Sequence, residues 1–193
     1  MRLVLLRHGR TEATEKRLYC GSTDLPLTEA GIGELRQTAE ECEYPVGKKY
    51  YTSGMLRAEQ TLEAIYGAVP HTVIPELRET DFGRFEMRGY ADDLQFDPAF
   101  RQWCDAYSED TPFPGGESAS QTAERALRGL KPILCTGVDA VCVTHGGVIA
   151  DVMEKWFPGS PDRYAFTPRP GCGYEILVEQ GVPVEYCFIP KEK

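Results

Sequence analysis

The stretch Leu3-Val4-Leu5-Leu6-Arg7-His8-Gly9 changes abruptly from apolar to polar residues. Four consecutive apolar residues are typical of a strand that is buried on both faces of a parallel sheet. A charged residue, an imidazole and a glycine directly after such a strand would pack poorly in a core, and they favour a pocket. A second stretch, Ala140 to Thr144 followed by His145-Gly146-Gly147, has the same form.

Strand and helix patterns alternate along the rest of the chain. The sequence predicts strands at 2–6, 50–52, 71–74, 140–144, 173–178 and 184–189, and helices at 28–44, 53–67, 93–107, 118–135 and 148–156, with Thr28 and Ser53 as helix caps. This order predicts a three-layer α/β/α sandwich with a mostly parallel central sheet. Because ligands of open α/β sheets bind at the carboxyl ends of strands, His8 and His145 are expected to share one pocket.

Composition restricts the class of protein. The 193 residues are 41% hydrophobic, which predicts a single domain over 1–193. The net charge of −9 argues against nucleic acid or an anionic membrane as a partner. No apolar run reaches the roughly 20 residues of a membrane span, and no secretory signal begins the chain, so a cytoplasmic location is expected. We expect a monomer or a homodimer.

Metal and disulfide chemistry find little support in the sequence. The seven cysteines are an odd number without a C-x-x-C pair, which favours neither a disulfide framework nor a zinc site. The three histidines have no H-x-H or H-E-x-x-H spacing, so a metal hydrolase is a weak alternative and no metal is expected.

Several separated motifs carry a resemblance that covers nearly the whole chain. They are Leu6 to Thr11, Thr23 to Thr28, Ser53 to Thr61, Leu77-Arg78-Glu79, Phe82-Gly83, Gly115 to Ser118 and Thr144 to Gly147. With this ordered set the chain resembles the histidine phosphatase superfamily, also called the phosphoglycerate mutase-like family. Tyr19 to Asp24 and Phe82 to Arg88 are most similar to alpha-ribazole phosphatases.

The resemblance implies a phosphoric monoester hydrolase of the histidine acid phosphatase type. It would act without a cofactor on a small phosphorylated metabolite such as alpha-ribazole phosphate. His8 would be the nucleophile and become a transient phosphohistidine, while His145 would contact the transferring phosphoryl oxygens. Neutral imidazole is the attacking form, and both its ordinary pKa of roughly 6.5 and the neighbouring Arg7 favour it.

The remaining catalytic roles require cations and a proton donor. Arg7 and Arg57 are predicted to clamp the phosphoryl oxygens, since a guanidinium donates two parallel hydrogen bonds and keeps its charge. Glu79 matches the position of the family's general acid, which protonates the leaving alcohol and then activates water. Asp81 and Glu86 are the nearby alternatives for this role.

Further substrate contacts are predicted from the motifs and from the middle of the chain. The substrate-binding set comprises Arg7, Thr14, Cys20, Gly21, Arg57, Glu79, Glu117, Ser118 and Gly146. Residues 89–118 are predicted to be a substrate-specificity insertion, although Phe96, Phe100, Trp103 and Tyr107 at helical spacing are more simply a stripe that faces a core.

Two departures from the family pattern leave the substrate open. Arg10 stands where an acidic residue is common, and Thr14 stands where an asparagine is often found near the phosphate. Arg10 could bind a second anionic group or lie on the surface. The alternatives to a hydrolase are a phosphoglycerate mutase-type phosphotransferase, which is less favoured because dedicated mutases generally carry longer insertions, and a catalytically silent module that binds a phosphorylated ligand.

Overall fold

A six-stranded sheet forms the centre of the molecule. The computed structural model describes residues 1–91, 93–159 and 163–193, with residues 163 and 164 described as backbone only. Its strands are β1 (Arg2–Arg7), β2 (Cys42–Glu43), β3 (Lys49–Thr52), β4 (Thr72–Val73), β5 (Ala140–Thr144), β6 (Gly173–Glu179), β7 (Val182–Ile189) and β8 (Lys191–Glu192). The main sheet has the order β4-β3-β5-β1-β6-β7, and β2 pairs with β8 in a separate ribbon.

The sheet is mostly parallel, as predicted. Strands β4, β3, β5 and β1 run parallel to one another, and Leu5 on β1 is in register with Cys142 on β5. Strands β6 and β7 are antiparallel and extend the sheet beyond β1. The ends of β1 and β5 therefore lie side by side at one edge, where Arg7 is paired with Thr144.

Helices cover both faces of this sheet. They are α1 (Glu12–Glu15), α2 (Glu29–Glu41), α3 (Leu56–Tyr66), α4 (Pro98–Asp105), α5 (Ala119–Cys135) and α6 (Gly146–Trp156). Because side chains alternate along a strand, Leu3 and Leu5 pack with buried residues of α5 and α6, whereas Val4 and Leu6 pack with those of α3. Helix α2 lies against α3 on this second side. The predicted three-layer α/β/α sandwich is confirmed.

Three of the predicted helices differ from the structure. The helix predicted at 28–44 ends at Glu41, and Cys42–Glu43 then forms β2. Thr28 does cap α2, accepting a hydrogen bond from the amide of Gly31. Ser53, however, does not cap α3, which begins after Met55 and whose Leu56 amide is bound by the carboxylate of Asp24. The single helix predicted at 93–107 is interrupted at Asp97, because the residue before a proline avoids helical backbone.

The middle segment has a small aromatic core of its own. Phe85, Leu94, Phe100, Trp103 and Phe113 are buried together. Phe96 is 68% exposed and Tyr107 is 39% exposed, so the predicted core-facing stripe holds for Phe100 and Trp103 only. Position 92 of the predicted 89–118 insertion lies outside the described residues.

No helix in the described ranges combines the length and apolarity needed to cross a bilayer.

Candidate active site

A cavity of about 200 Å³ opens where β1 and α6 meet at the carboxyl edge of the sheet. Most of the predicted site residues contribute to its wall, namely Arg7, His8, Thr14, Cys20, Arg57, Glu79 and Gly146. Residues from widely separated parts of the chain thus share one pocket, but His145, which was expected to share it with His8, is not part of its wall.

His8 is held in one tautomer by the backbone. The ring is 3% exposed, and its Nδ1 lies 2.7 Å from the carbonyl oxygen of Gly9. A carbonyl only accepts, so Nδ1 carries the hydrogen and Nε2 of the neutral ring keeps its lone pair. Burial, reinforced by the positive charges of Arg57 and Arg7, holds the pKa of His8 well below its ordinary value. His8 is therefore a neutral imidazole at pH 7 with a nucleophilic Nε2.

Thr61 supports this arrangement from α3. Its Oγ1 accepts a hydrogen bond from the amide of Gly9 at 2.9 Å and donates to the carbonyl of Arg57 at 2.6 Å. Thr61 is fully buried, so its hydroxyl has one geometry. The peptide unit of Gly9 is thereby fixed, and with it the carbonyl that orients His8.

His145 lies beside His8 and faces a serine. The two ring centroids are 5.1 Å apart, and His145 is fully buried rather than part of the cavity wall. Its Nδ1 accepts from Nε of Arg57 at 3.2 Å, so the neutral ring carries its hydrogen on Nε2, 2.9 Å from Oγ of Ser53. Burial, and then the charge of Arg57, holds the pKa of His145 well below its ordinary value. A neutral histidine with defined hydrogen positions results.

Arg57 is fully buried and links His145 to a loop. Its Nη1 donates to the carbonyl of Thr23 at 2.8 Å, and its Nη2 donates to the carbonyl of Gly21 at 2.9 Å. Each terminal nitrogen keeps a second hydrogen that these bonds do not use. The guanidinium is thus locked in place at the cavity wall, with N–H groups that these bonds do not use.

Arg7 brings a second guanidinium to the cavity. Its Nη1 donates to the carbonyl of Pro168 at 2.8 Å, whereas its buried Nε has no hydrogen-bond partner among the described residues. Burial lowers the pKa of Arg7 from its usual value, and the nearby Glu79 opposes this shift. A Cβ added at Gly146 would lie 3.0 Å from Cζ of Arg7, so this glycine gives the guanidinium its space.

Glu79 reaches the cavity because Gly147 has no side chain to exclude its carboxyl group. Its Oε1 accepts from the amide of Thr80 at 2.9 Å, and its Oε2 accepts from the amide of Gly147 at 3.1 Å. A Cβ added at Gly147 would lie 2.6 Å from Oε1 of Glu79. The carboxylate is therefore oriented by two backbone amides, one from the adjacent Thr80 and one from Gly147 at the start of α6.

The two alternative acids have structural partners. Oε1 of Glu86 accepts from the amides of Gly21 at 2.9 Å and Thr23 at 2.8 Å, and Oδ1 of Asp81 accepts from the amide of Gly83 at 2.8 Å. Neither carboxylate contributes to the cavity wall. Of the three candidates, only Glu79 is placed to exchange a proton with a bound ligand.

Three predicted substrate contacts do not line the cavity. Gly21 lies in the loop that Arg57 and Glu86 hold, where a Cβ would come 1.8 Å from the carbonyl oxygen of Thr80. Glu117 binds Arg125 through two bonds of 2.8 and 2.6 Å. Ser118 caps α5 by accepting from the amide of Gln121.

The charge of Glu117 is explained by its neighbours. Burial alone would raise the pKa of this carboxyl, but the hydrogen bonds from Arg125 and from the amide of Asp81 bring it below its ordinary value. Glu117 therefore braces the segment behind Glu79, since Arg125 also donates to the carbonyl of Glu79 at 3.3 Å.

The remaining predicted positions also have defined partners. The hydroxyl of Thr14 donates to the carbonyl of Thr11 in the cap of α1. Arg10 forms a surface ion pair of 2.8 Å with Glu34 and does not line the cavity. Cys20 is half-buried at the cavity wall, and burial raises the pKa of its thiol.

Several residues that support the site had no such role in the sequence prediction. Ser53 and Thr61 lie at the two ends of the motif Ser53 to Thr61. Their hydrogen-bond partners, His145 and Gly9, follow the strands β5 and β1. Ser53 directly follows β3 and therefore lies at the same sheet edge as His8. This position after a strand could have indicated a role in the site. Leu18, Tyr19, Phe82 and Phe113 form an apolar wall, of which only Phe113 lies in the predicted specificity segment 89–118.

The histidine phosphatase superfamily (branch 1) model matches residues 3–183. The chain belongs to this superfamily. Adenosylcobalamin/alpha-ribazole phosphatase of Salmonella typhimurium is 31% identical over 188 residues, covering 94% of this chain and 92% of the relative. The 2,3-bisphosphoglycerate-dependent phosphoglycerate mutase of Bradyrhizobium diazoefficiens is 32% identical over 176 residues, covering 81% of this chain and 82% of the relative.

Solved structures of superfamily members share the fold. The alpha-ribazole phosphatase from Shigella flexneri superimposes with a TM-score of 0.81 at 26% identity, covering all of this chain and 96% of that one. The resemblance that the motifs indicated is confirmed. As a histidine phosphatase superfamily member, the protein is an enzyme of the phosphatase and phosphotransferase class.

Proposed function

We propose that this enzyme hydrolyses a small phosphomonoester by the histidine acid phosphatase route, with water as the final acceptor. The observation that carries the proposal is the tautomer of His8, whose Nδ1 is bound to the carbonyl of Gly9 and whose Nε2 is left as a nucleophile. The same cavity holds two guanidinium groups and one carboxyl group, from Arg7, Arg57 and Glu79.

The first step transfers the phosphoryl group to His8. The lone pair on Nε2 attacks phosphorus, the ester bond to oxygen breaks, and protonated Glu79 gives its proton to the leaving alcohol. Arg7 and Arg57 bind the negative oxygens throughout, which reduces their repulsion of the nucleophile. Both ring nitrogens of His145 are used, Nδ1 by Arg57 and Nε2 by Ser53, so His145 is assigned the role of positioning Arg57 and not the predicted contact with a phosphoryl oxygen.

The second step returns the enzyme to its starting state. Glu79, now a carboxylate, takes a proton from water while the water oxygen attacks phosphorus and the bond between phosphorus and Nε2 breaks. Inorganic phosphate leaves, and Glu79 is again protonated. No other reactant is needed.

The names of the relatives support alpha-ribazole phosphate as the first substrate to test. The surface position of Arg10 supports hydrolysis over mutase action, because this arginine supplies no cavity charge for a second anionic group.

The test uses chelator-treated protein with alpha-ribazole phosphate, 3-phosphoglycerate and p-nitrophenyl phosphate. We expect phosphate release in the wild type, an acid-labile phosphoprotein on rapid quenching, and loss of both in His8→Ala. His71→Ala, which changes a histidine outside the cavity, is the matched control. Positional transfer without release would show a mutase, and binding without turnover would show a silent module.

A further inference from the structure

The cavity has two chemically different halves. One half carries the charged groups Arg7, Arg57 and Glu79, and the other is formed by Leu18, Tyr19, Phe82 and Phe113. In the proposed reaction, every charged group of the first half has a role, and no residue of the second half has one. The second half faces the part of a substrate that lies beyond its phosphate.

Mutual packing of its rings holds the apolar half in place. The rings of Tyr19 and Phe82 are 5.0 Å apart and those of Phe82 and Phe113 are also 5.0 Å apart, both in edge-to-face contact. Phe113 in turn stacks on Trp103 at 4.3 Å, within the buried aromatic core of the middle segment. Rings fixed by such packing offer a binding surface that needs little ordering when a ligand arrives.

Among the described residues, the cavity wall holds no cation for a second anionic group. Of the described residues that line it, Arg7 and Arg57 are the cations, and both are required by the phosphoryl group. Arg10, the nearest sequence candidate, is paired with Glu34 at the surface. A carboxylate or a second phosphate placed against Tyr19 and Phe82 would lose its hydration without gaining a donor of equal strength.

We infer that this active site selects phosphomonoesters whose alcohol is uncharged and carries an apolar or aromatic group, and that Phe82 is a residue that determines this specificity. The inference rests on the proposed function, since it concerns the ester group of the same substrate. Esters that carry a carboxylate or a second phosphate are disfavoured.

The test compares benzyl phosphate with 3-phosphoglycerate. Both are primary alkyl phosphates, so their leaving groups need a proton equally, and they differ in whether the alcohol carries a ring or a carboxylate. We expect kcat/KM for benzyl phosphate to exceed that for 3-phosphoglycerate by at least about tenfold, the effect of burying part of an aromatic ring. An equal or reversed preference in the wild type would overturn the inference.

Variants locate the preference in the cavity. Phe82→Ala is expected to lower the ratio of the two kcat/KM values by about tenfold, and Phe82→Leu, which keeps apolar bulk, is expected to retain much of it. Phe96→Ala is the matched control, because it makes the same substitution at a phenylalanine that is exposed and outside the cavity. If Phe82→Ala and Phe82→Leu, both folded by circular dichroism, leave the ratio unchanged, Phe82 does not determine specificity.

Binding separates this inference from the proposed function. Calorimetry with the non-hydrolysable benzylphosphonate and 3-phosphonopropionate measures the same preference without turnover. If no ester is hydrolysed but benzylphosphonate binds more tightly, the proposed hydrolysis fails and the substrate class stands. If esters are hydrolysed while 3-phosphonopropionate binds as tightly, the substrate class is wrong and the hydrolysis stands.

Discussion

Gly147→Ala is expected to separate catalysis from stability. The new Cβ would lie 2.6 Å from Oε1 of Glu79, and ordinary contact begins at 3.4 Å, so the carboxyl must move by about 0.8 Å. The end of a glutamate side chain can swing away cheaply. Losing its hydrogen bond to the amide of residue 147 costs about 0.5–1.5 kcal/mol, and alanine offsets part of that because it favours helix. The free energy of unfolding should therefore change by only about 1 kcal/mol.

Activity should respond far more strongly. A misplacement of this size at a proton donor lowers the rate by about 100-fold. The loss should be seen with an alkyl phosphate, whose leaving alcohol must be protonated. It should be small for release of p-nitrophenol in the first turnover, since that leaving group departs without a proton.

The assay combines urea denaturation with rapid-quench kinetics on benzyl phosphate and p-nitrophenyl phosphate. Gly33→Ala in α2 is the control, because nothing lies within 4 Å of a Cβ added there. It should stabilise the protein by about 0.5–1 kcal/mol without affecting either substrate. Full activity of Gly147→Ala on benzyl phosphate, or an equal loss on both substrates in the first turnover, would refute the role assigned to Glu79.

Three further outcomes are expected. Thr61→Val leaves the buried amide of Gly9 without its acceptor, and it should lower the free energy of unfolding by about 1–3 kcal/mol and lower kcat, whereas Thr61→Ser should keep both. His8 and His145 have lower pKa values in the folded protein than in the unfolded chain, so protonation favours the unfolded chain. The free energy of unfolding should therefore be highest above about pH 6.5 and should fall as the pH is lowered, by up to roughly 1.4 kcal/mol per pH unit for each histidine. Urea denaturation as a function of pH should show a smaller slope in His8→Asn, and an unchanged slope would contradict this reasoning. Arg10→Gln should leave kcat/KM for 3-phosphoglycerate unchanged, and a marked loss would show that Arg10 reaches the substrate.

The sequence predicted most of the fold correctly where a structural element depends only on residues close together in the chain. Such local features are the apolar runs of β1 and β5, the helix cap at Thr28, and the glycine and proline residues that mark turns. The errors occurred where a distant partner or a single residue overrode a local pattern. Asp24, and not Ser53, accepts the hydrogen bond from the first amide of α3, and Asp97 with Pro98 divided a helix that periodicity alone joined.

The site was predictable in its residue types and less so in its contacts. Arg7, His8, Arg57 and Glu79 do line one cavity. Arg7 and His8 lie there because β1 ends at that sheet edge, whereas Arg57 comes from α3 and Glu79 is held by the amide of Gly147. Which carboxyl reaches that cavity was open, because Glu79, Asp81 and Glu86 are alike in sequence. Their partners decide the matter, and those partners are backbone amides from different parts of the chain.

The sequence by itself determined that two strands end in histidine and glycine, that arginines accompany them, and that the chain resembles the histidine phosphatase superfamily. Only the tertiary structure decided the tautomer of His8, the outward position of Arg10 and the aromatic half of the cavity. The physical reason is that residue type and periodicity are properties of short segments. Proton positions and pocket walls depend instead on how distant segments fix the backbone and pack together, as when Thr61 of α3 holds the Gly9 peptide that orients His8.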